Sequence, residues 1–435
     1  SWGAPKFIFV IIGTTFLDFL LVRWMDRSSN RLKRRAILTF SVCMNLGLLV
    51  YFKYSNFFVE NINTVLNVFG SHEIHWTKLI LPIGISFYTF ETMTYVVDVY
   101  RRVHKPLHNF WEYQLYIICF PKLIAGPIVR YHEIADQITD RSQNDTLDNR
   151  LTGFYRFCIG LGKKVLIANT MGEFADSVFH LNADEINSAS AWLGILAYTF
   201  QIYFDFSGYS DMAIGIGKMI GFIFPENFNN PYISQGITEF WRRWHITLGA
   251  WMRNYLYIPL GGNRVKSPQR LYFNLWLVFL ASGLWHGASW SFIIWGAYHG
   301  MFLVLERAGL SKFYLKIRTV PAVLLTFFFV LNGWVFFRVE NVKEAFGFLS
   351  KMYSFDSIGA DVLPKAEFFP TLIIAIVFSF FALPKFGVKI QNMIFHLKYT
   401  SSRLMGMMFI SLLLFIISVS YITSSGFNPF IYFRF

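Results

Sequence analysis

The sequence predicts an all-α polytopic integral membrane protein with about 10–11 transmembrane helices plus re-entrant or interfacial helices. Hydrophobic residues make up 54% of the 435 residues and charged residues only 15%, whereas a soluble protein carries roughly 25% charged residues. Aromatic residues are abundant, with 50 Phe and 13 Trp. Many apolar stretches also reach the roughly 20 residues that a helix needs to cross a bilayer.

Apolar stretches of spanning length recur along the whole chain. Ten of them are uninterrupted: 6–22, 36–58, 78–99, 152–170, 190–206, 271–288, 289–305, 319–337, 368–384 and 405–423. Two more, 112–130 and 209–224, contain Pro or Gly together with polar residues, and we expect these to be interrupted and re-entrant. Because lipid offers no partner to backbone polar groups, the spans should be helical.

Lys and Arg are distributed unevenly between the loops, which predicts an orientation. The basic loops are 23–35, 101–105, 239–270, 307–318 and 385–403. Since cytoplasmic loops are enriched in Lys and Arg, residues 239–270 should face the cytoplasm. The acidic loop 171–189, the mixed loop 338–367 and the tail 426–435 should then face outside. The same rule accounts for the net charge of +13 without a nucleic-acid partner.

We expect one membrane domain, 1–435, with the outward-facing tail 426–435 as a distinct motif. The first residues, Ser1 to Lys6, are typical of a loop leading into a span, so a preceding helix is expected to be missing. The three cysteines show no C-x-x-C spacing, which argues against a disulfide framework and a thiolate metal site. No internal repeat is visible, which weakens a secondary-transporter interpretation.

The segment Trp241–Gly262 is dense in aromatic and basic residues around His245. We predict a helix over 238–255, with Ser234 and Thr238 as candidate N-caps. Its functional interpretation is an entrance for an anionic donor such as coenzyme A. Phosphates would be met by basic side chains of this region: Arg242, Arg243, Arg253 and Lys266. The alternative is an amphipathic interfacial helix whose arginines pair with lipid phosphates.

A second histidine, His286, lies between Trp285 and Trp290 near the end of an apolar span. An ionisable group inside the membrane is a functional candidate by default. A neutral imidazole in a dry pocket can take a proton from an attacking hydroxyl. The alternative is a structural histidine bonded to a backbone carbonyl, which we favour for His299. Metal binding is not predicted, because neither His245 nor His286 has a carboxylate or Cys at ligand spacing.

These segments resemble the membrane-bound O-acyltransferase (MBOAT) family, in its alginate O-acetylase and peptidoglycan O-acetyltransferase branch. The resemblance is collinear over nearly the whole chain. It is carried by Gly84–Phe90, Val97–Arg101, Pro121–Arg130, Asp205–Gly215, Trp241–Gly262 and Leu284–Trp290. It implies a ring of tilted helices around a central tunnel. It also implies that His286 is the catalytic histidine and that His245 is the second histidine, nearer the cytoplasm.

The resemblance further implies a function at a bacterial inner membrane. An acetyl group from cytoplasmic acetyl-CoA would be moved outward for O-acetylation of an extracytoplasmic polysaccharide. An extracytoplasmic acetyltransferase of SGNH type would be the partner. Transfer of D-alanine or another short acyl group remains an alternative. Two alternatives of other classes also remain: a transporter or channel for an acyl carrier or small solute, and a non-catalytic scaffold of an envelope complex.

The tail Phe430–Phe435 resembles a C-terminal aromatic motif of this branch, whose tyrosine is proposed to carry the acyl group. The resemblance implies that Tyr432 is this tyrosine; the alternative is an interfacial aromatic anchor. The segment Asp205–Asp211 either breaks a helix or helps to line the donor tunnel through Asp205. Trp244 is a further candidate donor contact beside His245.

Overall fold

The computed structural model describes residues 7–359, 361–395, 400–425 and 429–431. Every regular element in these ranges is a helix, which confirms the all-α prediction. Tertiary contacts divide the chain into two compact units, Ser1–Thr146 with Ile220–Phe224 and Leu147–Met219 with Pro225–Phe435. The expectation of one domain over 1–435 stays a prediction.

Six α-helices lie in the described part of the first unit. They are α1 (Phe7–Arg27), α2 (Arg31–Leu49), α3 (Ser55–Val68), α4 (Ile85–Tyr100), α5 (Phe110–Ile118) and α6 (Tyr131–Thr139). A π-helical turn over Val50–Tyr54 joins α2 to α3. The expected span 78–99 is helical only from Ile85, after Gly84 at φ 81°. A Cβ on Gly84 would lie 2.7 Å from the carbonyl oxygen of Leu123, so this turn requires glycine.

The second unit contains the remaining helices of the described residues. They are α7 (Leu147–Gly162), α8 (Asn169–Phe179), α9 (Ser188–Met219), α10 (Ile237–Arg243), α11 (Ile246–Trp251), α12 (Pro268–His286), α13 (Trp290–Leu305), α14 (Ser311–Lys316), α15 (Thr319–Arg338), α16 (Val342–Ser354), α17 (Phe368–Phe380), α18 (Lys385–Phe395) and α19 (Ser401–Ser425). Three π-helical turns interrupt this series at Lys163–Ala168, Met252–Tyr257 and Glu306–Leu310.

Several of these helices have the length and apolar character of membrane spans. By these two properties alone, four helical runs in the described residues qualify: Phe7–Arg27, Arg31–Val68, Thr319–Arg338 and Ser401–Ser424. The pair α17 and α18, bent by 92°, adds a fifth if it counts as one span. The chain is thus a multi-pass membrane protein, and the larger number of crossings expected from the sequence stays a prediction.

The expected interruption at 112–130 is present, because α5 ends at Ile118 and a 3-10 turn follows over Phe120–Lys122. The sequence also predicted an interruption within 209–224. This prediction was wrong for 209–219, because α9 runs unbroken for 32 residues and ends at Met219. The glycines of α9 do not break the helix; they allow it to pack closely against a neighbouring helix. A Cβ on Gly208 would lie 2.7 Å from the carbonyl oxygen of Gly160 on α7. Small residues let two helices approach closely inside a membrane.

Candidate active site

The helix predicted over 238–255 is broken at His245, so that prediction was wrong. The first part, α10, ends at Arg243, and Trp244 is extended with φ −98° and ψ 129°. His245 then takes the left-handed conformation, with φ 45° and ψ 54°, before α11 begins at Ile246. A non-glycine residue in this conformation is uncommon and needs support from its surroundings. His245 is buried at this break.

Asn227 supplies much of this support. Its Oδ1 lies 3.0 Å from Nδ1 of His245 and accepts a 2.9 Å hydrogen bond from Oγ1 of Thr247. Its carbonyl oxygen accepts from the backbone N–H of Ile246 at 2.9 Å. The backbone N–H of Thr247, which can only donate, also lies 3.3 Å from Oδ1, and this contact identifies that atom as the carbonyl oxygen. Nδ2 then donates to Oγ of Ser210 at 3.0 Å. One asparagine thus holds both the backbone and the ring at the break.

These bonds also fix the tautomer of His245. Since a carbonyl oxygen can only accept, Nδ1 of His245 must carry the proton that reaches Asn227. In the neutral ring, Nε2 is then an unprotonated acceptor. Nε2 is buried and has no hydrogen-bond partner among the described residues. The ring packs edge-on against Phe206, with centroids 4.7 Å apart. Nε2 of His245 is thus a buried acceptor, and a role for it in binding or proton transfer stays a prediction.

The start of α10 is held by Glu306. Its carboxylate accepts from the backbone N–H of Ile237 at 2.5 Å and of Thr238 at 2.9 Å, and also from the Thr238 hydroxyl. A carboxylate at a helix N-terminus satisfies free N–H groups and opposes the positive end of the helix dipole. The N-cap residue is Gly236. The prediction of Ser234 or Thr238 as N-cap was therefore wrong.

His286 is the last residue of α12 and is buried. Its position depends on the close packing of α12 on α13, where a Cβ on Gly283 would lie 2.2 Å from the carbonyl oxygen of Phe292. Aromatic rings surround the imidazole, with centroids 5.2 Å away for Trp295 and 5.1 Å for Phe337. Such surroundings exclude water from the histidine.

A small apolar pocket lies beside His286 in the second unit. Its other lining residues are Ile202, Phe206, Trp244, Trp295, Trp334, Phe337 and Ile431. The ring of Trp285 lies near both histidines. Its centroid is 4.9 Å from that of His286 and 6.1 Å from that of His245. The structure therefore brings His245 and His286 into one aromatic environment.

The predicted donor-binding residues lie in different surroundings. Arg242 and Arg253 are exposed, as phosphate contacts need to be. Arg243 is already paired, with Glu239 at 2.8 Å and with the carbonyl oxygen of Asn229 at 3.1 Å. Trp244 is buried in the pocket wall. Their role as contacts of a donor stays a prediction.

Asp205 is buried on α9 and touches the C-terminal segment of the chain. Its Oδ1 forms an ion pair with Nζ of Lys164 at 2.7 Å. Its Oδ2 accepts from the backbone N–H of Ile431 at 2.7 Å. Tyr432, the predicted acyl carrier, lies outside the described residues. Its neighbour Ile431 is buried and forms part of the pocket wall beside His286.

His299 is buried between aromatic rings, at centroid distances of 5.0 Å to Trp241 and 5.1 Å to Trp295. Neither ring nitrogen has a hydrogen-bond partner among the described residues. It therefore packs as an apolar ring and lacks the backbone bond that a structural histidine usually makes.

Sequence reasoning missed Asn227, Glu306 and Lys164. Glu306 had a signal, because an acidic residue at the end of an apolar span needs a partner. Asn227 and Lys164 lie in segments whose sequence gives no comparable signal. Their roles depend on contacts with residues 18 and 41 positions away, respectively.

Residues 33–342, which include both histidines, match the profile of the membrane-bound O-acyltransferase family. The chain is 41% identical to a probable alginate O-acetylase of Pseudomonas putida, over 100% of this chain and 92% of the relative. It is 39% identical to a peptidoglycan O-acetyltransferase of Helicobacter pylori, over 84% of this chain and 73% of the relative. It is 30% identical to a teichoic acid D-alanyltransferase of Bacillus subtilis, over 60% and 69%. The chain therefore belongs to the membrane-bound O-acyltransferase family and is an acyltransferase.

Proposed function

We propose that this protein moves an acetyl group from cytoplasmic acetyl-CoA across a bacterial inner membrane, for O-acetylation of an extracytoplasmic polysaccharide. Two relatives that cover most of the chain are named for O-acetylation of alginate and of peptidoglycan. The observation that carries the proposal is the pocket that His286 shares with Ile431. The residue that follows Ile431 in the sequence is Tyr432.

In the proposed first step, the phenol of Tyr432 attacks the thioester carbonyl carbon while its proton passes to the imidazole of His286. A C–O bond to tyrosine forms and the C–S bond breaks. The leaving thiolate then takes the proton from the imidazolium and departs as coenzyme A thiol. A covalent intermediate of this kind divides one difficult transfer into two easier ones. The apolar wall supports the proposal, since excluding water protects an activated acyl group from hydrolysis.

In the second step, a hydroxyl of the acceptor attacks the acetyl-tyrosine ester. The new acetyl C–O bond forms, the bond to tyrosine breaks, and the phenolate regains the proton that the acceptor loses. We propose that a partner acetyltransferase of SGNH type on the outer side catalyses this step. Deleting such a partner should leave acetyl-tyrosine formation intact while abolishing modification of the polymer.

The test is mass spectrometry of the purified protein after incubation with labelled acetyl-CoA. We expect a label on Tyr432 in the wild type and none after Tyr432→Phe or His286→Ala. A wild type that takes no label, or a Tyr432→Phe variant labelled equally, would contradict the relay. Label from a D-alanyl thioester but none from acetyl-CoA would replace acetyl with D-alanyl transfer. Solute flux that survives His245→Ala with His286→Ala, without acyl transfer by the wild type, would favour a transporter.

A further inference from the structure

The backbone of the C-terminal segment is held on both sides of Phe430 by one ion pair, whose acidic member is buried. Nζ of Lys164 donates to the carbonyl oxygen of Pro429 at 3.2 Å. Oδ2 of Asp205 accepts from the N–H of Ile431 at 2.7 Å. Lys164 and Asp205 also pair with each other at 2.7 Å. Both charged groups therefore bind main-chain atoms two residues apart.

The ring of Phe430 lies between the two backbone contacts and is buried. It stacks on Tyr209 with centroids 4.7 Å apart and packs against Phe206 at 6.0 Å. Phe206 in turn packs edge-on against His245 at 4.7 Å. The segment is thus fixed by polar contacts to its backbone and by an aromatic contact that continues to the second histidine.

The local sequence explains how Lys164 reaches this position. Lys163 and Lys164 begin the π-helical turn Lys163–Ala168, and both extend to acidic residues of α9. Lys163 pairs with Asp211 at 2.6 Å, whereas Lys164 pairs with Asp205. A π-helical turn widens the helix locally and often marks a functional site. The two adjacent lysines thus make similar ion pairs, but the contact with Pro429 belongs to Lys164.

A buried ion pair loses much of its hydration, so it is weak evidence for a purely stabilising role. The side chains of Asp205 and Lys164 are 2% and 14% exposed. Hydrogen bonds with one charged partner are stronger than neutral ones. The N–H of Ile431 therefore has a short, buried bond to Asp205, and the carbonyl oxygen of Pro429 has a longer, exposed bond to Lys164.

We propose that Lys164 and Asp205 form a positioning clamp that binds the backbone of residues 429–431 and sets the reach of Tyr432 toward His286. The inference rests on the proposed acyl relay through Tyr432. Because the clamp binds main-chain atoms, it fixes the backbone position of residues 429–431. It should tolerate changes in the side chain of residue 429. Lys164 and Asp205 are positioning residues, which act on the reaction through the tail.

The first experiment compares Lys164→Met with the matched control Lys163→Met, using the rate at which labelled acetyl-CoA acylates Tyr432. We expect Lys164→Met to slow acylation about 10- to 100-fold, in line with the loss of a hydrogen bond to a charged group. Lys163→Met should change it less than about threefold, because Asp211 keeps its 2.6 Å pair with Arg156. Equal losses in the two variants would overturn the clamp.

A double variant, Lys164→Asp with Asp205→Lys, separates the clamp from simple ion pairing. The reversed pair keeps opposite charges together, but its lysine has no acceptor for the N–H of Ile431 and its aspartate no donor for Pro429. We therefore expect the folded double variant to stay slow. Acylation at the wild-type rate would show that only the ion pair matters and would overturn the proposal.

The second measurement is independent of acyl transfer, so it separates this inference from the proposed function. Hydrogen exchange of the C-terminal peptide should show a protected Ile431 amide in the wild type and in Lys163→Met. Exchange should accelerate at least about tenfold in Asp205→Ala and Lys164→Met, because the amide loses its acceptor or the support of that acceptor. Unchanged protection in both would overturn the clamp. Protection lost as expected, without any label on wild-type Tyr432, would retain the clamp and refute the relay.

Discussion

Nδ1 of His245 lies 3.0 Å from Oδ1 of Asn227, and this contact determines which ring nitrogen of the imidazole is the basic one. Because Nδ1 carries the proton, the lone pair is on Nε2, which is buried and has no hydrogen-bond partner among the described residues. The sequence ranked His245 below His286 as the catalytic base. The geometry gives His245 an oriented, buried acceptor of its own. We therefore expect both histidines, and not His286 alone, to contribute to acyl transfer.

Replacing Asn227 with alanine should lower kcat by about tenfold, because His245 loses the hydrogen bond that holds its tautomer. The KM for the donor should change little, since the side chain of Asn227 is buried. Steady-state acyl transfer measures both constants. Asn229→Ala is the matched control in the same loop and should leave kcat unchanged. A selective rise in KM for Asn227→Ala would contradict an orienting role.

His286→Ala should reduce acyl transfer by about 100-fold or more, which is the usual contribution of a general base. His299→Phe should retain activity, because the ring nitrogens of His299 have no hydrogen-bond partner to lose among the described residues. Both histidines are buried in aromatic surroundings, so the pair separates a chemical role from a packing role. The two variants are compared by labelled acyl transfer after their folding has been checked by size-exclusion chromatography. Equal losses would assign His286 to packing.

Glu306→Ala should destabilise the protein by about 2–4 kcal/mol, because two backbone N–H groups of α10 lose their acceptor. Glu306→Gln keeps one carboxamide oxygen and should lie between alanine and the wild type. Glu340→Ala, at an exposed position, is the control and should leave stability unchanged. Thermal unfolding in detergent, followed by tryptophan fluorescence, measures the order of the four proteins. A Glu306→Ala protein as stable as the wild type would show that α10 needs no external cap.

Arg242→Ala and Arg253→Ala should each raise the KM for acetyl-CoA by about three- to tenfold, as expected for exposed contacts to phosphate. Acetyl-pantetheine lacks the nucleotide phosphates, so its KM should be the same for the variants and the wild type. The ratio of the two KM values isolates the phosphate contribution. An equal rise with both donors would exclude phosphate recognition by these arginines.

The fold class could be predicted from the sequence because it depends on local signals, and the same signals single out His245 and His286 as candidates, whose roles stay predictions. Long apolar segments must be helical in lipid, because their backbone groups find no other hydrogen-bond partner. An ionisable residue inside such a segment is costly and is therefore a functional candidate. That both rings contact Trp285 is known only from the structure.

The geometry of the site could not be predicted, because it depends on tertiary contacts. A helical pattern continues through Trp244 and His245, and only Asn227 reveals why the helix breaks there. Gly208 resembles a helix breaker, yet it allows α9 to touch α7. Lys163 and Lys164 cannot be told apart from the sequence. In the structure both lie in a π-helical turn, but Lys163 pairs with Asp211 and Lys164 with Asp205.

The cap on α10 also constrains the order in which the protein assembles. The acceptor for the N–H of Ile237 is Glu306, which lies 69 residues later in the chain. When synthesis of α10 is complete, Glu306 has not yet been added to the chain. The first turn of α10 therefore stays uncapped until α12 and α13 have been synthesised. Closing so long a loop carries an entropic cost that local helix formation avoids. Insertion of the hairpin formed by α12 and α13 is therefore the event that completes the segment around His245, and a chain arrested before residue 306 holds that segment without its anchor.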